Sequence, residues 1–258
     1  MGSASREALE AAKAALGGLV EPRTGSDLLQ VAAQVAATPA LLSALSDASA
    51  DGAAKVALVE RLFSGASTSA RAVLGAAVGQ SWSTPDELVA GIEELGLRAD
   101  AISHPDLAGE LLSAAAVVDG SHELELELGS KLAAPDAKVA LVDGLFAGKL
   151  SPSALGIVKH LVANPRGRRL SAALQASARI AADQGGTELA TVSVAAPLSE
   201  AQQSRLSGLL EQSAGRPVKV TTVVDPALVG GVRIQIGDDV IDGSVRTRLE
   251  DLRQRLAG

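Results

Sequence analysis

The sequence predicts an α+β fold: a duplicated all-α helical bundle region followed by a small α/β C-terminal domain. Three observations carry this. The run Ala54-Lys55-Val56-Ala57-Leu58-Val59-Glu60-Arg61-Leu62-Phe63 returns as Ala137-Lys138-Val139-Ala140-Leu141-Val142-Asp143-Gly144-Leu145-Phe146, an offset of 83 residues from Lys55 to Lys138. The same register pairs Pro22 with Pro105, Leu28-Leu29 with Leu111-Leu112, Val35 with Val118, Leu45 with Leu128 and Gly65 with Gly148. It therefore aligns punctuation as well as apolar residues, which chance similarity between Ala/Leu-rich helices does not. Second, apolar residues recur every three or four positions up to Gly185-Gly186, and stretches that alternate every two positions begin after it. Third, hydrophobic residues make up 47% of the chain but aromatics 1%, so its cores are built from Ala, Leu, Val and Ile. The 258 residues divide into a first helical module (1–101), its repeat (102–186) and an α/β domain (187–258).

The helical part opens with Ser3 to Leu16, carrying Leu9, Ala12 and Leu16 on one face and stopping at Gly17-Gly18. Asp27 to Ala37 and a Pro39-led helix through Leu45 follow, then Ala54 to Phe63, and a helix restarted at Ser67-Thr68 through Val78. Trp82, the single tryptophan, reads better as a ring packed over the bundle end than as a partner anchor. Thr84-Pro85-Asp86-Glu87 is a start signal: Thr84 as N-cap, Pro85 at the first position, Glu87 closing a capping box. In the repeat, Ser151-Pro152 caps a helix with Leu155, Val158, Leu161 and Val162. Asn164-Pro165-Arg166-Gly167-Arg168-Arg169 then breaks the chain before a last helix. This basic cluster reads equally as a solvated helix start and as a contact site.

After Gly186, Leu189, Val192 and Val194 mark a strand, and Ser199 to Gln202 a capping box. The helix it opens should bury Leu206, Leu209 and Leu210 and end at Gly215. Val218, Val220, Thr222 and Val224 alternate as a second strand. The last stretch runs from Gly231 to Leu256. Val232, Ile234 and Ile236 alternate as a strand, Gly237-Asp238-Asp239 supplies a turn, and Val240-Ile241 closes a hairpin. At Asp242-Gly243-Ser244 the period changes to a helix with Val245, Leu249, Leu252 and Leu256 on one side. Ser244 is a candidate N-cap, and Asp251 stands four residues before Arg255.

Composition excludes several function classes. With no cysteine there is no disulfide, thiol nucleophile or Cys-zinc site. A net charge of −7, interspersed acids and few aromatics oppose nucleic-acid binding by the C-terminal arginines. His104, His122 and His160 lack ligand spacing, and no phosphate-cradling loop or nucleophile elbow is found. Asp238, Asp239 and Asp242 lack the spacing of a calcium loop and read as turn and pre-helix carboxylates. No catalytic, cofactor or metal site is expected. Glu7 and Glu10 oppose a signal peptide, Arg6 stands where a myristoylation motif needs Ser or Thr, and the uncharged run Leu28 to Ser46 is broken by Pro39. A cytoplasmic chain without direct membrane insertion is expected.

The pattern Gly231, Ile234, Gly237, Asp238, Asp242, Gly243 and Ser244, followed by Leu249 and Leu252, resembles the C-terminal signature of the δ subunit of F-type ATP synthase. In mitochondria this subunit is the oligomycin-sensitivity-conferring protein. Gly167-Arg168 is similar to the Gly-Arg pair before the last bundle helix of that family, and the order of helical bundle then α/β domain agrees. The family usually has one six-helix bundle, so this chain carries an additional helical copy. The resemblance implies a non-catalytic stator subunit without cofactor, peripheral on the cytoplasmic face of the cell membrane. Its helical part would bind the N-terminal helix of an α subunit, and its C-terminal domain the paired b subunits of the peripheral stalk. Copy two, which keeps Gly167-Arg168, is expected to hold the α groove and to fold after removal of residues up to about Asp100.

Overall fold

A computed structural model describes residues 1–18, 20–130, 133–225, 228–236, 239–243 and 245. They fall into two compact units, Met1–Gln184 and Gly185–Gly258, so the chain is α+β as predicted.

The first unit holds α1 (Ser3–Lys13), α2 (Thr24–Ala37), α3 (Pro39–Ser46), α4 (Gly52–Leu62), α5 (Thr68–Val78) and α6 (Pro85–Ser103). It continues with α7 (Leu107–Asp119), α8 (His122–Gly129), α9 (Pro135–Phe146), α10 (Pro152–Ala163) and α11 (Leu170–Gln184). A shift of 83 residues, the offset read between Lys55 and Lys138, carries α2 through α6 onto α7 through α11, and α3 lands on α8 residue for residue. The packing repeats as well. α2 lies along α6 as α7 lies along α11, and α4 packs on α5 as α9 does on α10. Val59 and Val142, Leu45 and Leu128, and Phe63 and Phe146 are buried at matched positions.

The shift also carries α1 onto α6, so α6 is the counterpart of both α1 and α11. It packs against α1, α2, α3 and α5 on one side and α7 and α11 on the other. Between Leu88 and Ala101 only Ala90 and Glu94 keep partial exposure, the pattern of a helix enclosed all round. α6 runs unbroken across position 101.

Helix starts follow local chemistry. Ser67, Thr84 and Ser151 each accept the backbone N–H three residues on, satisfying one of the donors a helix leaves orphaned. α2 begins at Thr24, three residues before the expected start, and carries Asp27 in its first turn. Asp27 Oδ2 accepts from Ser67 N at 2.8 Å and anchors the start of α5. At the aligned position Glu110 accepts from Ser151 N at 3.0 Å and anchors α10. The cap in the repeat stands one residue later, and glutamate is one methylene longer. α4 begins at Gly52, two residues before the expected Ala54.

Thr84 caps α6, but Glu87 does not close the expected box. Its carboxylate instead accepts from Gly2 N at 2.9 Å and Ser5 Oγ at 2.6 Å, tying α1 to α6. Trp82 is buried, donates Nε1–H to Ala77 O at 2.9 Å and covers Gly91, where a Cβ would collide with the ring. No described helix is long and apolar enough to cross a membrane; α2 and α3 approach the length together but bend by 107° at Thr38.

The second unit is a four-stranded sheet of β1 (Glu188–Val194), β2 (Val218–Val224), β3 (Val232–Ile236) and β4 (Asp239–Asp242), with α12 (Glu200–Ala214) packed on β2. The order is β2-β1-β3-β4, with β1 and β2 parallel, β3 antiparallel to β1 and β4 antiparallel to β3. Ala190, Val192, Val194, Val218 and Ile234 form the core with Leu210. The Ser199–Gln202 capping box is present, and Gly215 ends α12 in the left-handed region. Leu209, expected inside, is 56% exposed, because a helix covering one face of a small sheet buries a narrower stripe than a bundle helix.

Candidate functional site

The Gly167-Arg168 turn is exposed, but its flanking arginines reach back to the helical unit. Arg166 and Gly167 both take positive φ, 47° and 76°, so the chain reverses tightly between α10 and α11. This reversal brings both guanidinium groups to Glu93 of α6. Arg166 Nη1 lies 3.0 Å and Arg168 Nη2 3.3 Å from Glu93 Oε2, and His160 Nε2 of α10 lies 3.0 Å from Oε1. Arg166 also donates to Asp86 O at 2.8 Å, and Asn164 holds His160 O at 3.0 Å.

Burial is the largest influence on the Glu93 carboxyl and would raise its pKa. The His160 hydrogen bond and the charges of Arg168 and Arg166 together outweigh it, and the group sits below the ordinary glutamate value. The cluster is an intramolecular brace joining the shared helix to the start of α11. Residues 166–169 are exposed, so the solvated-start reading describes their outer side while Glu93 holds two of the guanidinium groups. Next to it, Arg98 is buried between Glu94, 2.8 Å from Nη2, and Asp183, 2.9 Å from Nη1, and bridges α6 to the end of α11. Sequence reasoning did not single out Glu93 or Arg98. The one signal was the i, i+4 pair Glu94–Arg98, which has the form of an exposed helical pair.

In the second unit the signature residues frame the hairpin. Gly231 has φ +83° where the chain enters β3, a conformation that costs other residues about 1–2 kcal/mol. Ile234 is buried between Val192 and Ile241, its partners on β1 and β4. Asp242 faces Arg233 across the ladder, with Arg233 Nε 4.0 Å from Oδ2. Gly243 donates N–H to Val232 O at 2.9 Å, and a Cβ there would sit 3.2 Å from that same oxygen. Close approach to backbone therefore favours glycine at 243, whereas the positive φ belongs to Gly231. Val245 N reaches Gly230 O at 3.0 Å. Gly237, Asp238, Ser244, Leu249 and Leu252 lie outside the described residues, as does the expected helix apart from Val245.

His104, His122 and His160 fall on different elements, and the described residues form no cluster of three metal-capable side chains. The fold and these joints define a class: a two-unit α+β protein whose distinguishing residues brace one element against another. A model of the ATP synthase delta (OSCP) subunit family matches residues 100–256. The chain is 45% identical over 264 residues to the ATP synthase subunit delta of Leifsonia xyli subsp. xyli, covering all of both chains. It is 35% identical over 272 residues to that of Streptomyces griseus subsp. griseus, again with full coverage of both. A chain of the Toxoplasma gondii mitochondrial ATP synthase hexamer is similar at 22% identity and a TM-score of 0.39, over 63% of this chain and 96% of that one. The chain belongs to the ATP synthase delta (OSCP) subunit family.

Proposed function

We propose that the chain is a non-catalytic stator subunit of the F-type ATP synthase, peripheral on the cytoplasmic face of the cell membrane. The helical unit binds the amphipathic N-terminal helix of an α subunit, and the α/β unit holds the b subunits of the peripheral stalk. Residues 1–101 and 102–186 are two copies of one helical module that share α6. The observation that supports this reading best is the family match over residues 100–256, which takes in the second set of helices together with the hairpin framed by Gly231 and Gly243. An Ala- and Leu-built helical surface suits helix-in-groove recognition.

The test uses the intact chain. A peptide copying the α subunit's N-terminal helix should bind by calorimetry, and a soluble b-subunit segment should co-purify with the chain. No heat with the peptide and no co-purification with b would remove the stator reading.

A further inference from the structure

A cavity of about 540 Å³ lies where α2 of the first set of helices meets α9 and α10 of the second, with the end of α6 as its floor. Its walls are mostly apolar, with Pro22, Leu29, Val139 and Ile157 beside the polar Gln30 and Ser153. The cations on its lining are already engaged: Lys159 pairs with Asp143 and His160 with Glu93. Asp100 is different. It is 4% exposed, and its carboxylate lies against Gly25, where a Cβ would collide with it. Asp100 lines the cavity, and no hydrogen bond to its carboxylate from the described residues contributes to its pKa. The cation-forming group that acts on it is His104, whose ring nitrogen lies 3.1 Å from the Asp100 backbone oxygen and 3.3 Å from Ser153 Oγ. Burial raises the Asp100 carboxyl to about 6 against the opposing charge of His104, so its ionisation costs more here than in water.

We propose that this seam cavity binds an organic cation, a protonated amine or guanidinium on a slim apolar stem, with Asp100 as its counter-charge. A buried carboxylate needs a charged or hydrogen-bonding partner, and the apolar walls match a hydrocarbon stem. The volume falls within the range of small-molecule sites, roughly 300–1,000 Å³. A hard metal ion is disfavoured, because it wants several oxygen ligands and Asp100 is the one carboxylate on the lining. An anion is disfavoured because Lys159 and His160 are already paired. The cation has two possible sources, a free alkylamine or alkylguanidine and a Lys or Arg side chain of a docked polypeptide.

Calorimetry on the intact chain tests this with n-butylguanidinium, n-butylammonium, a capped Ala-Arg-Ala peptide and neutral 1-butanol. At least one cation should bind with one-to-one stoichiometry, and butanol should not. Asp100→Asn should weaken that binding at least about tenfold. Gly156→Leu should do the same by occlusion: Gly156 lines the cavity, and a Cβ there meets nothing within 4 Å, so leucine can enter without touching the backbone. Tighter binding of the capped peptide than of n-butylguanidinium supports the site with a polypeptide as source; the reverse order supports it with a small molecule. No binding by any cation, or wild-type affinity in either variant with its fold shown intact by circular dichroism, overturns the proposal.

Discussion

Glu93 and Asp100 lie two turns apart on α6, and their surroundings push their protons in opposite directions. Asp100 is raised from 3.8 to about 6 by burial, so the folded chain holds this proton more tightly than the unfolded one. Its contribution to stability is fully present below about 3.8, is lost as pH rises through 6, and leaves a cost at neutral pH. A shift of that size corresponds to at most about 3 kcal/mol. Asp100→Asn should therefore leave the melting temperature nearly unchanged at pH 4 and raise it at pH 7. Melting curves of the two proteins between pH 4 and 8 check this, and parallel curves would contradict it. Glu93 is lowered, so its contribution is present above the ordinary value of 4.5 and is lost as pH falls through its folded value. Within its cluster Glu93 is buried, while Arg168 is 40% exposed and can return to water. Glu93→Gln is therefore expected to cost ~1–3 kcal/mol, and Arg168→Ala less than about 1 kcal/mol. Urea unfolding at pH 7 would rank them.

At the scale of elements, the hairpin depends on two glycines for different reasons. Gly231 needs its left-handed backbone, and Gly243 leaves only tight room for a Cβ beside Val232 O. Gly243→Val forces the strands apart and should cost ~1–3 kcal/mol and weaken b co-purification, and unchanged melting would refute it. The sequence revealed most elements whose cause is local, although the Ser121 cap that opens α8 was not read. The caps at Ser67, Thr84, Ser151 and Ser199 were readable because donor and acceptor stand three residues apart. The repeat was readable because its glycines, prolines and leucines kept one register. What could not be read are the groups whose partners come from distant sequence. Glu87 has the spacing of a capping box, yet its carboxylate goes to Gly2 and Ser5 of α1. Glu93, Arg98 and Asp100 look like the wet face of an amphipathic helix. They are buried because α6 is covered from both sides, a fact of packing that no window along the helix contains.

For the whole molecule, the shared helix decides where the chain can be cut. A cut near Asp100 was expected to release the second set of helices intact. In the structure that cut removes nearly all of α6, and with it Glu93 and Arg98, which hold the start and the end of α11. It would leave Arg166, Arg168 and His160 without their carboxylate and expose an apolar face of α7 and α11 to water. This shorter fragment should aggregate or melt without cooperativity. A fragment starting at Thr84 keeps the cap, all of α6 and the whole Glu93 cluster, and loses the helices packed on the other side of α6. It should stay soluble and unfold cooperatively, although less stable than the intact chain because the α2-facing side of α6 is bared. Circular dichroism melts of the two fragments separate these outcomes. If the Thr84 fragment folds, its affinity for the α-subunit helix decides which copy carries the groove. Affinity within about tenfold of the intact chain, ~1.4 kcal/mol, places the groove in the second copy; a larger loss assigns it to the first.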